Sequence, residues 1–206
     1  ERLLPYAERL ATGTPARAPD ELVLVEPDPA WDGQARREIA RLRHRLGELA
    51  VTVDHIGSTS VPMYAKPVLD LQVGVRSLET ADGAAFAEAV AAGGWPRVDG
   101  VDEDRSKGGA PWPKRFHLGC DPAAPIHLHV REVGSPGWRW ALLFRDWLRA
   151  DPAARAAYRE EKVRLAGTAA DRAEYTEAKE PWFDSVHERS EQWARETGGT
   201  PAGPAA

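Results

Sequence analysis

The sequence predicts a mixed α/β domain, a small sheet flanked by helices with a helical C-terminal cover. Three observations carry this. The stretches 51–56 and 67–75 are short, apolar and rich in β-branched residues, as strands are. A second such pair, 115–118 and 126–131, follows a helical segment. Beyond Gly134-Ser135-Pro136 the pattern is helical almost to the end. Helix, strands, helix, strands, helices is a mixed α/β order.

Residues 2–11 read as a short helix, and 12–20, rich in Ala, Pro, Thr and Gly, read as a linker, so 1–20 form an appendage and the domain proper spans 21–197. Residues 22–25 suit a short strand. Asp28-Pro29 starts a helix, since Asp accepts from free N–H groups and Pro has none to lose; Ile39, Leu42, Leu46 and Leu49 continue it at helical spacing. Gly57-Ser58-Thr59-Ser60 is a small-residue turn between the first two strands. Ser77 opens a helix through Phe86 and Val90 that Gly93-Gly94 stops. Residues 99–113 read as a mobile loop, and Asp121-Pro122 as the turn of the second strand pair. Trp140, Leu143, Phe144, Trp147 and Leu148 form one helix face, Asp151-Pro152 starts another helix, and 171–197 make a last one broken near Pro181. The tail 198–206 is disordered by composition.

Composition excludes several classes. The net charge is −5, with Lys and Arg scattered among Asp and Glu, so no basic stripe points to nucleic acid. One cysteine, Cys120, forbids an intrachain disulfide and suits a reducing compartment. No apolar run approaches the ~20 residues that span a bilayer, and no secretory signal is present. A cytoplasmic protein without membrane contact is the expectation. The chain starts at Glu1 without an initiator Met and reads as a piece of something longer.

The chemistry centres on 55–73. Strand alternation puts Val68, Asp70 and Gln72 on one face and Leu69, Leu71 and Val73 on the other. Asp70 thus sits inside an apolar run, where a carboxylate needs a partner, a hydrogen bond or a metal. Gly57-Ser58 offers backbone N–H groups and a hydroxyl without bulk, a turn able to cradle phosphate. The structural alternatives are a plain tight turn and an Asp70 that braces it. His127 and His129 share one strand face and suit Zn²⁺ or Mn²⁺ better than Mg²⁺, or are ordinary hydrogen-bonded histidines. Arg145 and Asp146 form a plain helix pair, and the tryptophans at 138, 140, 147 and 182 belong to a core.

A Gly-Ser turn followed by a strand carrying Asp resembles the nucleotidyltransferase signature. His55-Ile-Gly-Ser-Thr-Ser-Val-Pro62 with Ala65-Lys66-Pro67 and Asp70 is similar to the GrpB family. His127-Leu-His129-Val, Gly134-Ser135 with Trp138, Phe144-Arg-Asp146, and Asp171-Arg172 with Tyr175-Thr176 and Lys179 fit the same family in order, over roughly 22–195. The resemblance implies a nucleotidyltransferase-like fold that binds ATP, another nucleotide or a small phosphorylated ligand with a divalent metal, Mg²⁺ or Mn²⁺. His55, Gly57, Ser58, Thr59, Lys66 and Lys179 would hold substrate phosphates. Asp70 would be the catalytic carboxylate and a metal ligand, joined by His127 and His129. One departure matters: Gln72 stands where a working transferase has its second carboxylate. The site is then repurposed, or the domain is a descendant that keeps only the fold.

Leu3-Leu-Pro-Tyr-Ala-Glu-Arg-Leu10 is also similar to the last helix of dephospho-CoA kinases. This resemblance implies a kinase domain in cis and an alternative role, a non-catalytic accessory domain in coenzyme A biosynthesis. No G-x-x-x-x-G-K-[ST] loop occurs, so no kinase activity is expected of this chain alone.

Overall fold

The structure, a computed structural model, describes residues 3–16, 22–107 and 109–199. The predicted architecture is present. Strands β1 (Thr52–Ile56), β2 (Leu69–Val75), β5 (Arg115–Leu118) and β6 (Ile126–Glu132) form one sheet in the order β1-β2-β6-β5. The β2–β6 pair is parallel and the two outer pairs are antiparallel.

One sheet face carries the main core. Val53, Leu71, Val73, Leu128 and Val130 pack there against helices α2 (Ala30–Leu46), α3 (Leu78–Asp82) and α4 (Ala84–Ala92), through Leu42, Leu46, Ala81, Phe86 and Val90. The other face meets the C-terminal helices α5 (Pro136–Ala150), α6 (Pro152–Ala166), α7 (Arg172–Ala178) and α8 (Glu180–Thr197). Trp138 and Leu142 of α5 pack on Ile56, while Trp147, Leu148 and Tyr158 build a separate helical core with Val61 and Met63. Trp138 and Trp147 are buried, whereas Trp140 and Trp182 are half-buried.

Several elements differ from the sequence reading. Residues 22–25 form no strand; Val25 makes a single antiparallel bridge to Ala65, and Pro27, without an N–H, cannot extend it. Helix α2 begins at Ala30, with Asp28 Oδ1 accepting from its N–H at 2.8 Å. The helix expected after Ser77 is two helices, parted at the extended Gly83. The presumed mobile loop holds a short antiparallel pair, β3 (Glu103–Asp104) and β4 (Trp112–Pro113). The last helix does break near Pro181 as expected, at Lys179, and Pro181 itself sits in the first turn of α8, where its missing N–H costs nothing.

The N-terminal segment is docked. Helix α1 (Leu3–Thr12) lies against the sheet edge: Cys120 Sγ donates to the Arg9 carbonyl at 3.8 Å, and Ala16 N–H donates to Gly119 O at 2.8 Å. Ala16 is buried. Most of the remaining expected linker, 17–20, and tail residues 200–206 lie outside the described residues. No helix among the described residues is long and apolar enough to cross a membrane.

Candidate functional site

Strand β2 lies between β1 and β6, so alternation aligns a polar row on the face opposite the main core. Asp70 stands beside Ile56 and His127, and Gln72 beside Asp54 and His129. The C-terminal helices leave a cavity of about 440 Å³ over this row. Of the residues singled out in the sequence, Gly57, Ser58, Lys66, Asp70, His127, His129 and Lys179 line it.

His55 and Thr59 are placed elsewhere. His55 points to the core side of β1, where its Nε2 meets Thr59 Oγ1 at 3.0 Å, and Thr59 donates to the Val68 carbonyl at 3.3 Å. The two brace the Gly57 turn from behind. Burial lowers the His55 pKa to about 4, so the ring is neutral at physiological pH.

Asp70 Oδ1 lies 3.2 Å from His127 Nδ1 and 3.7 Å from His129 Nε2. Burial would push its carboxyl up, but the two imidazoles outweigh that and hold it well below the usual carboxylate range. Arg131 Nη2 approaches His129 Nδ1 at 3.2 Å. A guanidinium only donates, so Nδ1 accepts and the ring proton sits on Nε2, toward Asp70. Burial, then Arg131, lowers the His129 pKa to about 4.

Gln72 is fully buried and structurally committed. Its Oε1 accepts from Arg131 Nη1 at 2.6 Å, and its Nε2 donates to the Trp138 carbonyl at 3.3 Å. Arg131 Nε and Lys114 Nζ each hold Asp104 at 2.7 Å, which keeps that carboxyl ionised far below its ordinary range despite its burial. Among the described residues, no group of three or more His, Cys, Asp or Glu side chains is arranged to hold a metal ion.

The turn from β1 is built around Gly57, whose φ of 69° lies in the left-handed region. A 3-10 turn, Ser58–Ser60, follows; Ser60 Oγ donates to the Gly57 carbonyl at 2.6 Å. Ser58 faces the cavity beside the Tyr158 hydroxyl.

Three lysines reach the cavity from separate elements: Lys66 ahead of β2, Lys162 on α6 and Lys179 between α7 and α8. The Nζ atoms of Lys66 and Lys179 lie 5.2 and 4.8 Å from the centroid of the Tyr175 ring. Lys162 donates to the Tyr64 carbonyl and lies 5.2 Å from the Tyr158 ring centroid. Among the described residues, no carboxylate forms an ion pair with any of the three. Burial, reinforced by the neighbouring cations, lowers Lys66 to about 8 and Lys162 to about 7; burial also lowers Lys179, against the pull of Asp70. The Tyr175 hydroxyl is buried without a hydrogen-bond partner among the described residues.

Tyr158, Lys162 and Tyr175 were not singled out as site residues in the sequence. Lys162 stands in Arg-Glu-Glu-Lys, which reads as a solvated helix face. Its spacing of four from Tyr158 and three to Leu165 was the available signal, for it puts the lysine on the buried face of α6.

The cavity is closed on one side by the β3–β4 segment, which contributes Asp104, Lys107 and Trp112. Lys107 latches it to α8 by pairing with Glu180 and with Asp184, the latter at 3.2 Å.

The sequence pattern of the family described as GrpB protein matches residues 21–189. The chain is 41% identical over 224 residues to a protein named dephospho-CoA kinase from Mycolicibacterium paratuberculosis, covering 98% of this chain and 53% of that protein. A protein of the same name from Mycobacterium leprae is 40% identical, with 96% of this chain and 52% of that one covered. The chain thus spans about half the length of these curated relatives. Among solved structures, the crystal structure of the conserved protein GrpB from Enterococcus faecalis is similar with a TM-score of 0.68 and 27% identity, covering 83% of this chain and 99% of that one.

Proposed function

The chain belongs to the GrpB family, and from that membership we propose that its cavity binds a phosphorylated small molecule, a nucleotide or a close relative of one. The observation that carries this reading is the convergence of Lys66, Lys162 and Lys179 on one cavity where no carboxylate among the described residues forms an ion pair with any of them. Buried cations are costly unless an anion meets them. The cavity, about 440 Å³, falls in the ~300–1,000 Å³ range of small-molecule sites. Ser58 and the Gly57 turn add donors suited to phosphate oxygens.

The transferase form of this reading would need Mg²⁺ or Mn²⁺ at Asp70, His127 and His129, although these side chains are not arranged to hold an ion. Such an ion would neutralise phosphate charge and activate an attacking hydroxyl. Calorimetric titration with ATP, with and without each metal, tests the reading beside Lys179→Gln. Saturable binding by the wild type that the variant weakens supports it. Heat indistinguishable from dilution under every condition removes it.

A second reading is favoured by the relatives named dephospho-CoA kinase, which are about twice this length, and by the docking of α1 on the domain. Here the domain is an accessory module to a kinase domain in cis. Co-expression should then change the yield or thermal stability of the kinase. Asp70→Ala should leave that effect intact; its loss would remove the purely structural version.

A further inference from the structure

Resting on the reading of the cavity as a phosphate site, we propose that Lys66, Lys162, Lys179 and the Tyr175 hydroxyl form an anion subsite that holds a phosphate group without a divalent metal. The geometry behind this has two parts.

First, the subsite gathers donors that no carboxylate pairs among the described residues, although Lys162 also donates to the Tyr64 carbonyl. Two ammonium groups lie near one ring, at 5.2 and 4.8 Å from its centroid; that ring's residue lines the same cavity, and its hydroxyl is buried without a hydrogen-bond partner among the described residues. An orphaned buried hydroxyl is unfavourable unless a bound group completes it. Lys162 brings a third ammonium from α6. The four groups come from three separate parts of the chain, so no local packing need brings them together. Burial lowers each lysine's pKa, and an anion among them would reverse that.

Second, the polar groups of β2 and β6 are arranged against a cation. Arg131 donates to His129 Nδ1, which turns the Nε2 proton toward Asp70 and leaves no lone pair there for a metal. The same Arg131 occupies the Gln72 oxygen, and with Lys114 it occupies Asp104. Asp70 is then a single carboxylate facing several cations. It suits orientation of a ligand hydroxyl or N–H better than a Mg²⁺ shell, which calls for several oxygens.

The test is titration with ATP and with inorganic pyrophosphate in EDTA, repeated in Mg²⁺, on the wild type, Tyr175→Phe and Lys66→Gln/Lys179→Gln. The expected result is binding in EDTA at least as tight as in Mg²⁺. Tyr175→Phe should weaken it about tenfold or more, the worth of one hydrogen bond to a charged group, without lowering the melting temperature, because the hydroxyl has no partner to lose. The double lysine variant should abolish it. Binding that appears only with metal would overturn the inference and leave the proposed function standing. Metal-free binding indifferent to both variants would overturn the assignment of these residues. Absence of binding with or without metal would remove the inference and the proposed function together.

Discussion

Gly57 packs so closely on Asp70 that a Cβ added to it would overlap the Asp70 carboxylate. The contact follows from the register, in which Ile56 pairs with Asp70, so the turn after β1 folds directly over the strand position that carries the carboxylate. With φ at 69°, only glycine satisfies both demands without strain.

Gly57→Ala should therefore destabilise the domain by about 2–5 kcal/mol, from the left-handed backbone and from the overlap. Gly100→Ala is the control, because its φ of 78° carries the first penalty while open space spares it the second. It should cost only about 1–2 kcal/mol. Urea unfolding of the two variants reads the difference; equal losses would show that Asp70 does not constrain the turn.

Stability should fall as pH drops from about 6.5 to about 4. Burial lowers both His55 and His117 to about 4. In that window the unfolded chain binds more protons than the native one, so each histidine contributes a slope of up to ~1.4 kcal/mol per pH unit. His117 Nδ1 meets the Trp95 carbonyl at 3.0 Å and its Nε2 has no partner among the described residues, so a second proton would go unpaired there. His117→Asn should flatten the profile whatever it does to absolute stability. Asp70 acts lower: its stabilising ionisation persists above the unfolded carboxylate pKa and is lost on further acidification.

Anion binding should take up protons at pH 8. There Lys162, lowered to about 7, and Lys66, lowered to about 8, are partly neutral, whereas a terminal phosphate is fully ionised. A bound anion restores their charge. Calorimetry with ATP in two buffers of different ionisation enthalpy measures the uptake, and Lys162→Met should remove most of it.

The reach of sequence reasoning varied with the range of the interaction concerned. Asp70, Gly57 and Ser58 were legible because alternation and turn chemistry are local. The face of His55 was equally local: counting by twos from Ile56 puts it opposite Asp70, yet family position suggested a ligand role. Lys162 and Tyr175 were not read as site residues, since their placement depends on how α6 and α7 cross the sheet. The Gln72 departure was visible, but its meaning depended on Arg131, fifty-nine residues away.

Lys107→Ala should loosen the β3–β4 segment. Its ammonium group is the tie to Glu180 and Asp184 of α8. Hydrogen exchange across 101–107 should accelerate while the β2 and β6 amides keep their protection. Unchanged exchange would mean that Trp112 alone holds the segment.

Cys120 should react slowly with a thiol reagent in the full chain and quickly once residues 1–13 are removed. The thiol is 1% exposed, burial raises its pKa, and Arg9 of α1 provides its carbonyl contact. Equal rates would show that α1 does not stay docked in solution.

Strand β2 serves two masters in alternate residues. Leu71 and Val73 answer to the helices on one side; on the other, Asp70 answers to the cavity and Gln72 to Arg131 and the Trp138 carbonyl. Substitutions at Leu71 or Val73 bear on the core and those at Asp70 on the cavity, so the scaffold can be kept while the chemistry at Asp70 changes. Survival of the shape is therefore poor testimony to survival of the activity, and each member must be tried on the residues of its own polar row.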